Sequence, residues 1–226
     1  MTKYKILNLY ACLGGNRYKW DDVAKDANIE IEVTAVELDP EAARLYQERF
    51  PNDKVIVADA HQFLLDHFKE FDFIWSSPPC PTHSKIRITQ KNTEGFIHKY
   101  PDMGLYEEVI FLDNFFEGKY VIENVIPYYE PLISAQKRGR HLYWCNFNLP
   151  NILSERTFKI GRESDEVNEL CKFHNYDFNK YKGEQRNDKM ARNLVDYEAG
   201  KTILETALNI YKKSDTKQTS IFDYEV

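Results

Sequence analysis

Apolar and polar positions alternate along the first half of the chain in two periods. Residues 4–10 (YKILNLY) form a short apolar run that ends just before Gly14 and Gly15, which predicts a strand followed by a turn. Residues 17–27 suit a helix, and residues 29–37 (IEIEVTAVE) are rich in β-branched side chains, as a strand requires. Asp39 followed by Pro40 opens the next helix with a capping carboxylate and a proline in the first turn. Further strands are predicted at 54–57, 71–75 and 119–123, with helices at 61–69 and 106–116. Strands separated by helices of this length imply an α/β fold, a mostly parallel sheet with helices on both faces. After His141 the pattern changes: residues 144–171 are polar and irregular, 194–211 turn helical again, and the chain from Ser214 has the composition of a flexible tail. The expected organisation is a main domain over 1–144, a small inserted lobe over 145–185, a return to the main domain over 186–213, and a tail over 214–226.

Composition changes this picture little. Hydrophobic residues make up 42% and charged residues 29%, as in an ordinary globular protein, and no apolar run is long enough for a membrane span. With no cleavable leader before the first strand, a cytoplasmic location is expected. Cys12, Cys80, Cys145 and Cys171 contain no CxxC pair, so neither a structural metal nor a disulfide framework is expected. The net charge of −6 argues against a non-specific nucleic-acid coat. Local cations still permit nucleic-acid contact, notably Lys85, Arg87, Lys91 and Lys99, and then Lys137, Arg138, Arg140 and His141.

Ligands of such sheets bind at the carboxyl ends of the strands, and the chemistry-bearing residues fall there. The first strand leads into Ala11-Cys12-Leu13-Gly14-Gly15, either a close backbone approach to a ligand or a plain tight turn. Glu37 ends the second strand, where a carboxylate could take the hydroxyls of a ribose or belong to a capping cluster with Asp39. Asp59 ends the third, as a partner for an amino group or as another helix cap. Ser76-Ser77-Pro78-Pro79-Cys80-Pro81 follows the fourth strand; three prolines stiffen the loop around a thiol at the sheet mouth, a candidate nucleophile. Glu123-Asn124-Val125 ends the fifth, and Glu123 is either a proton donor or a surface carboxylate. In an extended Gln136–Arg140 segment, Gln136, Arg138 and Arg140 would share one face, suited to phosphate or a base carbonyl.

Taken in order, these motifs resemble the cytosine-C5 DNA methyltransferase family from about residue 5 to 201, apart from 145–185. They are the glycine loop, Glu37-x-Asp39-Pro40, Asp59, Pro79-Cys80, Glu123-Asn124-Val125, Gln136-x-Arg138-x-Arg140 and Arg192-Asn193-Leu194-Val195. The resemblance implies a Rossmann-like S-adenosylmethionine-dependent methyltransferase fold. It further implies S-adenosylmethionine contacts from Tyr10, Leu13, Gly14, Glu37, Asp59, Pro79 and Asn193, catalysis by Cys80, Glu123, Arg138 and Arg140, and DNA contacts from Ser84, Gln136, Lys85 and Arg87. The implied reaction is methylation of cytosine C5 in DNA through a Cys80–C6 adduct on a flipped-out base, with no metal. Departures stand at Asn8 and Tyr10, where the family has Asp and Phe, at Cys12 for Gly, at Pro81 for Gln and at His83 for Phe. Only about forty residues are available for target recognition. The same chemistry on tRNA, or a non-catalytic DNA-binding module, are the alternatives; an amino-methyltransferase is disfavoured because Cys80 stands where those enzymes carry a base-stacking aromatic ring. Near the C-terminus, Gln218-Thr219-Ser220-Ile221-Phe222 resembles the peptide with which bacterial proteins dock on the DNA polymerase sliding clamp, Gln218, Ile221 and Phe222 being the anchors. A bacterial or phage-infected cell is the expected setting.

Overall fold

The computed structural model describes residues 3–153 and 164–212. Its elements run β1 (Tyr4–Leu9), α1 (Trp20–Asp26), β2 (Ile31–Glu37), α2 (Pro40–Arg49), β3 (Lys54–Val57), α3 (Ala60–His67), β4 (Phe73–Ser76), α4 (Ile86–Thr89), α5 (Gly104–Phe115), β5 (Lys119–Val125), β6 (Gln136–Arg138), β7 (His141–Cys145), α6 (Ser164–His174), α7 (Asn187–Arg192) and α8 (Tyr197–Ala207). The strands form one seven-stranded sheet in the order β3-β2-β1-β4-β5-β7-β6. β1 to β5 pair in parallel, and β7 runs antiparallel to both β5 and β6. The predicted alternation of strands and helices is therefore present, with ends displaced by a few residues. The β6–β7 hairpin was not predicted. β6 is three polar residues, too few to show a strand period, whereas β7 is short but apolar, with Leu142, Tyr143 and Trp144 buried; together they complete the sheet beyond β5.

Alternation along the strands sorts the core into two layers. Leu7, Ile74, Ile122, Leu142 and Trp144 face α3 and α5, whereas Ile6, Phe73, Trp75, Val121 and Tyr143 face α1 and α8. Successive strand residues point to opposite faces, so a parallel strand buried on both sides must be apolar at nearly every position. α5 presents Leu105, Tyr106, Val109 and Leu112 as one helical stripe, all buried. Each such side chain contributes roughly 1.5–3 kcal/mol when fully buried. Asp39 caps α2 through hydrogen bonds from the Glu41 and Ala42 N–H groups, with Pro40 at its first turn.

The described part of the expected lobe does not stand apart. Leu170, Phe178 and Tyr181 share a buried cluster with Leu13, with Ala42 and Leu45 of α2, and with Met190, Ala191 and Leu194. Tyr181 donates from its hydroxyl to Asp39, and Lys180 meets Glu48 at 2.6 Å. This segment is thereby tied to the sheet end beside α2.

α8 returns the chain against the turn after β1 by close backbone approach. A Cβ at Gly200 would lie 2.3 Å from the Asn16 carbonyl oxygen, and one at Gly15 would lie 2.4 Å from that of Val195. The Trp20 indole N–H also donates to the Gly200 carbonyl at 3.2 Å. Gly200→Ala should cost about 1–3 kcal/mol through overpacking, despite the gain of up to ~1 kcal/mol in helix propensity. Chemical denaturation checks this; unchanged or increased stability would show that α8 does not need this close seat.

Candidate active site

The sheet order reverses between β1 and β4, and a cavity of about 1380 Å³ opens over the carboxyl ends of the strands at that point. Its walls bring together residues far apart in sequence: Tyr10, Glu37, Asp59, Pro79, Cys80, Glu123, Arg140 and Asn193.

On one side the backbone is unusual. Tyr10 and Cys12 adopt positive φ, 54° and 48°, a region that disfavours side chains other than Gly, Asn and Asp. The strain is held by contacts on both sides. Glu37 accepts from the Cys12 N–H at 2.8 Å and from the Asp39 N–H at 2.9 Å. Burial raises the pKa of Glu37 against those two hydrogen bonds. The Tyr10 hydroxyl donates to Glu108 at 2.6 Å, and Ser76 donates to the other Glu108 oxygen at 2.6 Å. His61 Nδ1 lies 3.1 Å from Glu108, which raises the His61 pKa. Glu108 is thus a buried hub that fixes the Tyr10 ring on the cavity wall. Asp59 uses one carboxylate oxygen to cap α3 through the Gln62 N–H at 2.9 Å. Both carboxylates also lie on the cavity wall. Leu38, 66% exposed, faces the same space as a bare apolar surface.

Beneath β1, Asn8 pairs reciprocally with Asn16 at 2.8 and 3.4 Å and reaches the Tyr46 hydroxyl at 3.4 Å. Tyr46 donates to Asp53 at 2.9 Å, and Asp53 takes both Nε and an Nη of Arg17 at 2.9 Å. The amide that replaces the family's Asp at position 8 therefore belongs to a buried polar network under the turn.

Across the cavity, Cys80 sits in the proline loop. Its carbonyl accepts from the His83 and Ser84 N–H groups at 3.0 Å, and Asn124 clamps the loop by donating to the Pro78 carbonyl at 2.9 Å. Burial raises the Cys80 thiol pKa, the Glu123 carboxylate raises it further, and the charge of Lys189 draws it down. Glu123 is almost buried, and His141 Nε2 lies 3.4 Å from its Oε1.

Several expected contacts lie elsewhere. Leu13 is fully buried in the cluster with α2, and Gly14, at φ 70°, backs onto Tyr46 and Phe50; Cys12 and Gly15 line the cavity instead. Gln136, Arg138 and Arg140 do not share a face, because β6 ends at Arg138 and Gly139, at φ 52°, turns the chain. Arg140 reaches the cavity from that turn. Arg138 donates to the Pro150 carbonyl and, at 2.8 Å, to that of Leu149, while Gln136 donates to the Phe147 carbonyl at 2.7 Å and accepts from the Leu149 N–H at 2.8 Å. These two residues hold the chain beyond β7. Ser84 and Lys85 follow Cys80 and Arg87 lies in α4, all off the cavity wall; Arg87 stacks on Phe96 at 4.5 Å and donates to the Ile97 carbonyl at 2.6 Å. Gln218, Ile221 and Phe222 lie outside the described residues.

Asn124, Lys189 and Glu108 were not singled out from sequence as site residues, and His141 only as one cation of the cluster with Lys137, Arg138 and Arg140. Asn124 and His141 adjoin motif residues and could have been found there. Lys189 and Glu108 had no signal beyond being polar positions on helices. Among the described residues no helix is long and apolar enough to cross a membrane, and no group of three or more His, Cys, Asp or Glu is placed to hold a metal ion.

His83 is buried, with Nδ1 2.5 Å from the Tyr129 hydroxyl and Nε2 without a hydrogen-bond partner. Burial lowers its pKa. The unfolded chain then binds more protons at this site than the folded chain, so stability should fall as pH drops through the ordinary imidazole value of about 6.5 and toward the lowered one. His83→Phe should flatten the melting temperature between pH 7.5 and 5 relative to wild type. Parallel curves for the two proteins would show that His83 does not contribute to the acid sensitivity.

Comparison with known proteins agrees with this architecture. The family model for C-5 cytosine-specific DNA methylase matches residues 4–126, more than half of the chain. No curated protein sequence matches significantly. Among solved structures, the methyltransferase EhMeth of Entamoeba histolytica is similar at 11% identity and a TM-score of 0.52, the match covering 94% of this chain and 100% of that one. A DNMT2 mutant from Spodoptera frugiperda is similar at 14% identity and a TM-score of 0.50, covering 92% and 100%. These likenesses show a shared Rossmann-like methyltransferase fold, and the family match, joined to the order of motifs around the cavity, shows that the chain belongs to the C-5 cytosine-specific DNA methylase family.

Proposed function

We propose that this chain methylates C5 of cytosine in DNA, using Cys80 as a covalent nucleophile. The observation that carries the reading is the meeting of Cys80, Glu123 and Arg140 in the same cavity as Glu37, Asp59 and Asn193. The first half of the cavity fits S-adenosylmethionine. Glu37 and Asp59 keep lone pairs for ribose hydroxyls and an adenine amino group, and the exposed Leu38 and the fixed Tyr10 ring offer apolar surface to a flat base. Pro79 and Asn193 complete the wall. When bound there, S-adenosylmethionine supplies a methyl group made electrophilic by its positive sulfur.

The protein's own residues must make C5 nucleophilic, because C5 of an intact cytosine ring reacts poorly. The Cys80 thiolate adds to C6, and the electron pair of the C5–C6 double bond moves toward the ring nitrogen. Glu123 holds a proton at N3 and prevents charge from building on the ring. Arg140 takes the base carbonyl O2. Lys189 favours the thiolate against the burial and the Glu123 charge that oppose it. The base must leave the duplex to reach Cys80. The shortened segment 145–185, with the loop carrying Lys85 and Arg87, serves target contact in this reading.

Purified protein, methyl-tritiated S-adenosylmethionine and duplex DNA or tRNA test it. Label recovered from DNA as 5-methylcytosine is the expected result. Label confined to tRNA overturns the substrate, and no label in either polymer overturns the reaction.

A further inference from the structure

We infer that His141 supplies the proton that Glu123 passes to the base, so that the two side chains form a relay from solvent to N3. The inference rests on the reaction proposed above and extends it to a residue that reaction does not use. In the antiparallel register β5 pairs Val125 with His141 and Glu123 with Tyr143. Glu123 and Val125 share a face, so His141 is the diagonal neighbour of Glu123, the spacing at which longer side chains meet. His141 Nε2 lies 3.4 Å from Glu123 Oε1, and both residues line the cavity. The Tyr143 ring stands edge-on to the imidazole, centroids 6.4 Å apart at 72°.

Exposure gives the pair its direction. The Glu123 side chain is 10% exposed and that of His141 31%. A carboxyl this dry exchanges protons with water slowly unless a wetter group connects it. Cys80 on the proline loop is coupled electrostatically to Glu123 and to Lys189 of α7, and Arg140 on the hairpin turn directly precedes His141. The step balances: the imidazolium gives its proton to Glu123, Glu123 gives one to N3 as the Cys80 sulfur bonds to C6, and, once the C5 proton has left to a base or water, elimination of Cys80 re-forms the C5–C6 double bond and returns the N3 proton by the same route.

The test is the single-turnover rate of methyl transfer to DNA from pH 5 to 8.5 for wild type and His141→Gln, with melting temperatures to verify folding. Glutamine keeps a donor for Glu123 but does not titrate. The variant should match wild type within a few-fold at pH 5, where protons are abundant, and lag it progressively as pH rises, by about tenfold or more at pH 7.5. His141→Asn repeats the measurement if the glutamine variant is poorly folded. A variant profile parallel to wild type, whether at the same height or uniformly lower, overturns the relay while leaving the reaction standing. A wild-type enzyme inactive at every pH overturns the reaction itself, and the relay with it.

Discussion

Cys80→Ala should reduce methyl transfer by at least about 10³-fold, because the residue proposed to make C5 nucleophilic is removed while the rest of the cavity is kept. Cofactor affinity should stay within about twofold, since Glu37, Asp59 and Tyr10 lie on the far wall and keep their hydrogen bonds. The two readouts separate loss of chemistry from loss of fold. DNA carrying 5-fluorocytosine gives a direct check, because fluorine at C5 blocks the deprotonation that releases the enzyme. Wild type should form a covalent complex that survives denaturation, and the alanine variant should form none. An alanine variant that transfers methyl at a rate near wild type would remove Cys80 from the mechanism. Lys189 enters the same argument from the other side, as a cation that lowers the thiol pKa against burial and Glu123.

Arg17→Met should be the most destabilising of the substitutions considered, at about 3–5 kcal/mol. Arg17 and Asp53 have side chains only 4% and 3% exposed and meet through two hydrogen bonds of 2.9 Å. Methionine fills much of the volume but leaves the Asp53 carboxylate buried beside the Tyr46 hydroxyl alone. Burial already raises the Asp53 pKa with Arg17 present, and without the guanidinium it should rise further. The folded variant then binds more protons than the unfolded chain, so its deficit should shrink as pH falls through the raised value. Urea titration at pH 7.5 and pH 5 measures both effects. A loss below 1 kcal/mol at pH 7.5 would show that the pair is not a dry ion pair. Replacing both residues with apolar ones should recover a large part of the loss, because the main cost is the orphaned charge rather than the missing attraction. Through Tyr46 and Asn8 the same substitution should also weaken cofactor binding.

Much of the architecture was legible in the chain. Runs such as 4–10 and 71–75 are apolar at nearly every position because both faces of β1 and β4 are covered, and the Asp39-Pro40 pair marked the start of α2 to the residue. The cavity residues at strand ends were legible for the same reason: in a parallel sheet every strand end points to one rim. The failures have equally specific causes. Leu13 follows a left-handed Cys12, so its side chain turns into the cluster under α2 rather than toward the cavity. The extended-chain rule that placed Gln136, Arg138 and Arg140 on one face broke at Gly139, where the chain reverses.

Residue order alone thus determined the α/β class, the strand-end position of Cys80, Glu37, Asp59 and Glu123, and the resemblance to the family, because local periodicity and short motifs are properties of neighbours in the chain. Only the tertiary structure decided that β6 and β7 extend the sheet, that Arg138 and Gln136 hold backbone while Arg140 reaches the cavity, that Glu108 holds Tyr10 on the cavity wall, and that Lys189 and His141 stand beside Cys80 and Glu123. Those pairings depend on cross-strand register and helix packing between residues as many as 109 positions apart, Cys80 and Lys189, and no spacing along the chain encodes them.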